Sequence, residues 1–355
     1  MPEEQPRVLT ASVHDFRYFA ALLRGVNFVN RASVSITPDG FTVTVEENRC
    51  LTATAFVFSH VFDEFVYNPD AAQPSQSPQP PEDEDHELTA TAFEIPLNTL
   101  MDCLNLFGTA GMGAGTSQKK KKSPGDGEDS DGGGSGRNDS KGKGRADAND
   151  AGGNARLDQW FAPGKGTGMR MSYVGPGHPL TLLVAEESGG STATCEITTW
   201  DPEPRLELAF DSDAAVLKII LKSSWLRDAL SELDPNTEKL TIIGNPPAPL
   251  GRAPRASAPP CLRLRAVGQF GSTEMDYPND REVLETCECA QPVAFTYRYQ
   301  HISRALRALQ SSLKTSLRID DEGLLSLQFM MPVPRRQGGR RSEAFIEFWC
   351  LPLEE

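Results

Sequence analysis

The densest group of ionisable side chains is the run PEDEDHE, in which Asp83, Glu84, Asp85 and Glu87 surround one histidine, His86. Clustered carboxylates are what a two-metal nuclease uses to hold cations around a scissile phosphate. That chemistry needs its ligands fixed on rigid elements. This run instead closes the segment NPDAAQPSQSPQPPEDEDHE, whose only aliphatic residues besides proline are alanines. Acidic runs in such a setting are solvated, and His86 has no second ligand beside it. Cys287 and Cys289 alternate within a strand pattern and point the same way, but two thiols do not make a zinc site. The residues therefore give no catalytic group, no metal set and no cofactor motif. The chain is expected not to be an enzyme.

The remaining charge clusters are no more specific. Lys119 to Lys122 sit in a glycine-rich stretch and read equally as a nuclear-import signal or a solvating run. Arg335, Arg336, Arg340 and Arg341 flank Gly338-Gly339 and are expected at a hairpin tip. Overall, 35 Lys and Arg stand against 49 Asp and Glu, a net charge of −14. Such a balance disfavours a protein that grips nucleic acid by bulk electrostatics, since domains of that kind are basic. Seven cysteines form an odd set without a CxxC pair and lie mostly in apolar patterns. They read as core thiols of a reducing compartment. No apolar run approaches the ~20 residues of a membrane span, and MPEEQPRVLT lacks a signal-peptide core.

The elements that must position any site follow from periodicity. A length of 355 residues suits two domains. Segments of about 68–87 and 109–167 are too poor in apolar residues to order themselves. In the first half a strand at 7–13 leads into a helix, with Ser12 and Asp15 spaced as a capping box. Alternating runs ASVSIT, FTVTVE, CLTATAFVF and ELTATAFEI then read as half-buried antiparallel strands. NTLMDCLNLFG follows as a helix whose Leu100, Leu104 and Phe107 would cover a sheet. MRMSYV, LTLLVAE and STATCEITTW complete this half. The second half repeats the order: strand 215–221, helix SSWLRDALSEL, several strands, helix QHISRALRALQ, then three strands. The expectation is α+β: two similar domains at 1–200 and 214–355, joined by 201–213, with antiparallel sheets carrying two helices each.

On a 100° wheel each of the four helices buries one side. The opposite sides carry His14, Arg17 and Arg24 in the first helix, and Asn98, Asp102 and Asn105 in the second. Arg227 with Asp228 lies on the third, and Arg304 with Arg307 on the fourth. Singly, these are ordinary solvated faces. Together, four such faces on one side of a sheet would pass a phosphate backbone without reading bases.

LNTLMDCLNLFG, LRDALSELD, FGSTEMDYP and DDEGLLSLQFM, in this order, resemble segments of the Rad-one/Rec-one family, which supplies one subunit of the nine-one-one DNA-damage checkpoint clamp. The resemblance runs from about Val8 to Leu353 and omits both low-complexity segments. It implies two PCNA-like domains, helices facing a central hole, and a heterotrimeric ring in the nucleus. Rad-nine-type and Hus-one-type subunits would be the partners, with a clamp loader placing the ring on double-stranded DNA. Carried over by position, Arg17, Arg24, Arg304 and Arg307 would face DNA, with Arg227, His14, Asn98 and Asn105 as weaker contacts. Rings of this type close by strand pairing, expected here at Cys195, Glu196, Ile197 and Thr198 on one edge and Met275, Asp276 and Tyr277 on the other. Two other readings remain. A homotrimeric replication clamp would be a compact chain without large inserts. A 3′ to 5′ exonuclease activity has been assigned within the family, but PEDEDHE matches a preorganised site poorly. A Rad-nine-type subunit would carry a long Ser-rich tail, which does not follow Glu355.

Limited proteolysis should nick residues 70–86 and 112–165 and leave the remaining chain resistant, because neither segment buries enough apolar surface to offset its ordering entropy. Protection of Lys119–Lys122 in the isolated protein would contradict this.

Overall fold

Alternation of apolar and polar residues settles into strands whose apolar side faces helices. In the run LTATAFVF, Leu51, Ala53, Ala55 and Val57 are buried while the intervening residues are not. A computed structural model describes residues 6–72, 90–106, 167–185, 191–247, 259–332 and 344–354. Phe107, the acidic run at 82–87, Lys119–Lys122 and the arginines at 335–341 lie outside the described residues. The first expected insert begins later than residue 68: the Asn68 N–H donates to the Val8 carbonyl at 2.8 Å, and Pro69–Ala72 forms a helical turn.

The first nine strands are β1 (Leu9–Val13), β2 (Arg31–Thr37), β3 (Gly40–Glu47), β4 (Leu51–Phe58), β5 (Glu64–Tyr67), β6 (Thr91–Pro96), β7 (Gly168–Tyr173), β8 (Leu180–Ala185) and β9 (Thr192–Ile197). The next nine are β10 (Ala215–Lys222), β11 (Thr237–Gly244), β12 (Leu262–Gly268), β13 (Gly271–Tyr277), β14 (Leu284–Cys289), β15 (Val293–Arg298), β16 (Lys314–Asp320), β17 (Leu325–Met331) and β18 (Ala344–Cys350). The helices are α1 (Arg17–Val26), α2 (Leu97–Leu104), α3 (Ser223–Glu232), α4 (Tyr299–Arg304) and α5 (Leu306–Ser311).

All named pairings are antiparallel, in three sheets. Their orders are β5-β1-β7-β8-β9, β14-β10-β16-β17-β18-β4-β3-β2-β6 and β13-β12-β11-β15. This is mostly antiparallel sheet with few helices, an architecture compatible with a PCNA-like clamp. The large sheet is continuous because β18 pairs with β4, from Phe345 opposite Phe56 to Cys350 opposite Leu51. Across that seam Phe348 sits opposite Ala53 and Ile346 opposite Ala55, so large side chains meet small ones. Phe28 stacks on Phe348 at 5.9 Å, and Phe329 meets the same ring edge-on at 5.6 Å.

The helices pack as a row, α2 against α1, α1 against α5, and α5 against α3. Gly25 permits the central contact: a Cβ there would lie 2.3 Å from Ile346 Cδ1 and 3.5 Å from Ala308 Cβ. The segment 201–213 runs over the nine-stranded sheet. The Glu203 N–H donates to Glu94 Oε1 at 2.9 Å, the Leu206 N–H donates to Glu46 Oε2 at 3.2 Å, and the Arg318 guanidinium lies 4.7 Å from the Phe210 ring centroid.

Three expectations are corrected. Ser12 does not cap α1; it belongs to β1, and its hydroxyl donates to Glu64 at 3.4 Å. The fourth helix is broken, because the Ala305 N–H bonds Ile302 O at 3.0 Å in a tightened turn. Strand β5 was not anticipated; it is four residues long and pairs with β1.

Phe348→Ala should lower unfolding stability by about 3–5 kcal/mol, because it empties a well-packed aromatic site at the seam. Urea titration checks this. A midpoint close to that of the wild type would mean the seam is not limiting.

Candidate functional surfaces: the helix row and the sheet edges

Position brings the expected arginines together on the helix row, but local chemistry occupies most of them. Arg17 donates through Nε and Nη2 to Asp15 at 2.6–3.0 Å, and its backbone N–H meets the same carboxylate at 3.0 Å. The bond to Asp15, reinforced by its charge, raises the Arg17 pKa against a desolvation cost. Arg24 is not on an open face. It is half-buried in a helix whose residues Tyr18 to Leu23, Gly25 and Val26 are all buried, and desolvation lowers its pKa. Arg227 pairs with its neighbour Asp228 at 2.9 Å. The His14 ring is 93% exposed and contacts Asp63.

The second half's arginines turn towards the first half. Arg304 makes a two-pronged bond to Glu47, with Nε to Oε2 at 2.9 Å and Nη2 to Oε1 at 2.6 Å. That bond is the main reason the Arg304 pKa rises. Glu47 ends β3 opposite Leu51, and in the turn that follows it Asn48 and Arg49 both adopt left-handed backbone (φ 56° and 54°). Arg307 donates to the Asn27 carbonyl at the C-cap of α1, where a cation offsets the negative end of the helix. Sequence reasoning missed these partners. Acids at Asp15 and Asp228 are visible in the neighbouring sequence, but Glu47 and Asn27 lie more than 250 residues from theirs. His301 is also buried at this junction. Burial lowers its pKa; Glu47 opposes the shift, while Arg298 and Arg304 reinforce it.

Asn98 and Asn105 are exposed as expected, although the Asn98 N–H is already taken by Asn30 Oδ1 at 2.9 Å. Asp102 is exposed between them, and Leu106, just beyond α2, is 56% exposed. Both expected edge strands are sheet edges, β9 in the five-stranded sheet and β13 in the four-stranded one. Thr192, Thr194 and Glu196 are exposed along β9. Along β13, Glu274 and Asp276 are exposed and Met275 is half-buried; Asp276 pairs with Arg263 at 2.6 Å. Two expected contact residues belong to this chain's own core instead. Ile197 is buried, and Tyr277 is buried with its hydroxyl donating to the Trp225 carbonyl at 3.2 Å. Thr198 lies just past the end of β9. Cys195 is half-buried beside Cys103, whose thiol is pushed up to about 12 by burial and then by the contact with Cys195. Among the described residues, no group of three or more His, Cys, Asp or Glu is arranged to hold a metal, and no helix is long and apolar enough to cross a membrane.

The profile of the family described as "Repair protein Rad1/Rec1/Rad17" matches residues 8–331. The chain belongs to that family. It is 30% identical to the human cell cycle checkpoint protein RAD1 over 99% of this chain and 94% of that one. It is 28% identical to the Schizosaccharomyces pombe DNA damage checkpoint control protein rad1, over 94% and 82% of the two chains. A third relative, from Mycosarcoma maydis, is 27% identical over 98% and 96% of the two chains and is named DNA repair exonuclease REC1. That finding corrects the expectation that the chain is no enzyme, since a relative aligned over almost the full length carries an exonuclease name. The expectation rested on the run PEDEDHE, which lies outside the described residues, and on Cys287 and Cys289, too few thiols for a zinc site.

The junction gives a pH dependence. His301 has a folded-state pKa below its unfolded value, so its contribution is fully present above the ordinary histidine value and is lost as pH falls from there through the lowered folded-state value. The midpoint of urea unfolding should therefore drop between about pH 7 and 5, and His301→Gln should flatten that drop. An unchanged slope in the variant would assign the pH dependence to other groups.

Proposed function

We propose that this chain is one subunit of a heterotrimeric clamp that encircles double-stranded DNA in the nucleus and serves checkpoint signalling and repair. The match to the Rad1/Rec1/Rad17 profile over residues 8–331 carries the proposal. The strand order adds support for two clamp domains, about 1–200 and 214–355 with 201–213 as connector. The order β5-β1-β7-β8-β9 recurs as β14-β10-β16-β17-β18, and β4-β3-β2-β6 recurs as β13-β12-β11-β15. In that correspondence β9 takes the place of β18 and β13 the place of β4. The two strands that would close a ring are therefore the counterparts of the two already paired inside the chain. Rad-nine-type and Hus-one-type subunits are the proposed neighbours, with a clamp loader to open the ring.

Charge sets how DNA is held. With Arg17, Arg227 and Arg304 facing Asp15, Asp228 and Glu47, the helix row is far less positive than its arginine count suggests. Retention by encirclement tolerates this, because a closed ring needs only weak, salt-labile phosphate contacts. Arg307, exposed and bound to a carbonyl rather than a carboxylate, is the foremost candidate for such contacts, with Arg17, at the start of α1 but paired with Asp15, behind it. A second reading, exonuclease action on DNA ends, is favoured by the name of the Mycosarcoma maydis relative.

Arg17→Ala with Arg307→Ala should leave assembly intact and weaken DNA retention regardless of base sequence. The salt slope should fall by roughly one unit per lost phosphate contact, two at most. Retention equal to the wild type would sink the placement of the helix row against DNA. The same preparations, incubated with a 3′-labelled duplex, decide the second reading: mononucleotide release by the purified chain supports it, and intact label removes it.

A further inference from the structure

Four of the seven cysteines meet in the fold as two contacting pairs. The first pair joins α2 to β9, the last strand of the five-stranded sheet. Along β9 Thr192, Thr194 and Glu196 are exposed, so alternation turns Ala193, Cys195 and Ile197 to the other side; Ile197 is buried there and Cys195 half-buried. α2 seals the core with Leu97, Leu100, Met101 and Leu104, and leaves Cys103 half-buried at the margin, where its thiol shares a hydrogen bond with Cys195. The second pair joins Cys261, just before β12, to Cys287 on β14.

The two pairs differ in what can reach them. A thiol reacts as its thiolate, and only where an oxidant can approach it. Among the described residues no strand lies beyond β9, and neither cysteine of the first pair is sealed from solvent. Cys261 is sealed, at 1% exposure. Burial, and then the bond to Cys195, pushes the Cys103 thiol up to about 12. Cys103 therefore keeps its proton at neutral pH, which leaves Cys195 as the attacking sulfur and Cys103 as the sulfur that resolves.

We propose that Cys103 and Cys195 form a reversible disulfide when the chain meets a peroxide, stapling α2 to the free edge of the five-stranded sheet. The Cys195 thiolate attacks one oxygen of hydrogen peroxide and the O–O bond breaks. Cys195 becomes a sulfenic acid, and the released hydroxide takes up the proton that Cys195 gave up, forming water. The Cys103 sulfur then displaces hydroxide from the Cys195 sulfur. An S–S bond forms, the S–O bond breaks, and the Cys103 proton leaves with the hydroxide as a second water. The two thiols together lose two electrons, and one peroxide is reduced to two waters. A dithiol reverses the link. The loop it closes spans the glycine-rich stretch of the sequence, so the link also restricts the unfolded chain.

The reduced full chain, treated with hydrogen peroxide, blocked with N-ethylmaleimide and digested without reductant, tests this by mass spectrometry. A peptide joining Cys103 to Cys195, two hydrogens lighter than its parts, should appear and should vanish with dithiothreitol. It should form roughly tenfold or more faster than any link between Cys261 and Cys287. The oxidised chain should unfold at a higher urea concentration than the reduced one. In Cys103→Ser, dimedone should trap a sulfenic acid on Cys195, and in Cys195→Ser, Cys103 should stay unmodified. Absence of the Cys103–Cys195 peptide from the wild-type chain would overturn the proposal whether or not either variant folds. Faster linkage of Cys261 to Cys287, or links between chains through Cys195, would overturn it as well. A dimedone adduct on Cys103 with none on Cys195 would overturn the order of attack.

Discussion

The antiparallel seam between β18 and β4 is the constraint on which the rest of the structure depends. Without it the nine-stranded sheet would be two separate sheets, each with an open edge of unpaired backbone groups, which invite pairing with other chains. The seam works because its inner residues are complementary in size: Ile346 and Phe348 on one strand meet Ala55 and Ala53 on the other. Close approach of the strands also brings α1 and α5 together, which only a residue without a side chain at Gly25 allows. Sheet pairing and helix packing at the seam therefore reinforce one another. The continuous row α2-α1-α5-α3 is a consequence of that coupling.

The same seam explains where the arginines went. A charged side chain at a junction is stabilised by a partner across it, and Glu47 and the Asn27 carbonyl supply partners for Arg304 and Arg307. Arg304 and Glu47 are both partly shielded, so their attraction is screened less than that of a surface pair. Side chains that look, on a helical wheel, like a positive stripe are in part the polar glue between the two halves. Any DNA-facing role falls on whatever charge remains after that use.

Strands and helices were legible in the sequence because alternation and helical spacing are local, and the runs from FTVTVE to AFIEFWCLP carry them clearly. The strand EFVY was not, since four residues, alternately exposed and half-buried, after a helical turn show too short a pattern to separate from a loop. The break at Ala305 was hidden because the apolar residues Ile302, Leu306 and Leu309 keep helical spacing through it. Site residues were legible by type and helix face but not by partner. Asp15 lies two residues from Arg17, at a spacing from Ser12 that also suits a capping box, while Glu47 is 257 residues from Arg304. Register supplied what periodicity could not. It identified β9 and β13 as counterparts of β18 and β4, and placed Ile197 and Tyr277 in the core of this chain.

A chain whose strand order recurs faces a hazard that its residues answer. If β9 resembled β18 and β13 resembled β4, the chain could pair β9 with β4 of another copy, or β18 with β13, and exchange halves between molecules. The two kinds of edge differ at the positions that matter. The internal strands carry Phe348, Ile346, Ala53 and Ala55, whereas the free strands carry Cys195, Ala193, Thr273 and Met275. The internal ion pair has the acid on the hairpin and the base on the helix, while α2 carries an acid at the matching place and the β12 hairpin strand ends in glycine. A β18 edge offered β13 would leave Arg304 without its carboxylate, and a β4 edge offered β9 would set Glu47 against Asp102. Wrong pairings thus lose an ion pair or create a repulsion. The correct internal pairing keeps both its packing and its charges, so the difference between the two kinds of edge protects the seam.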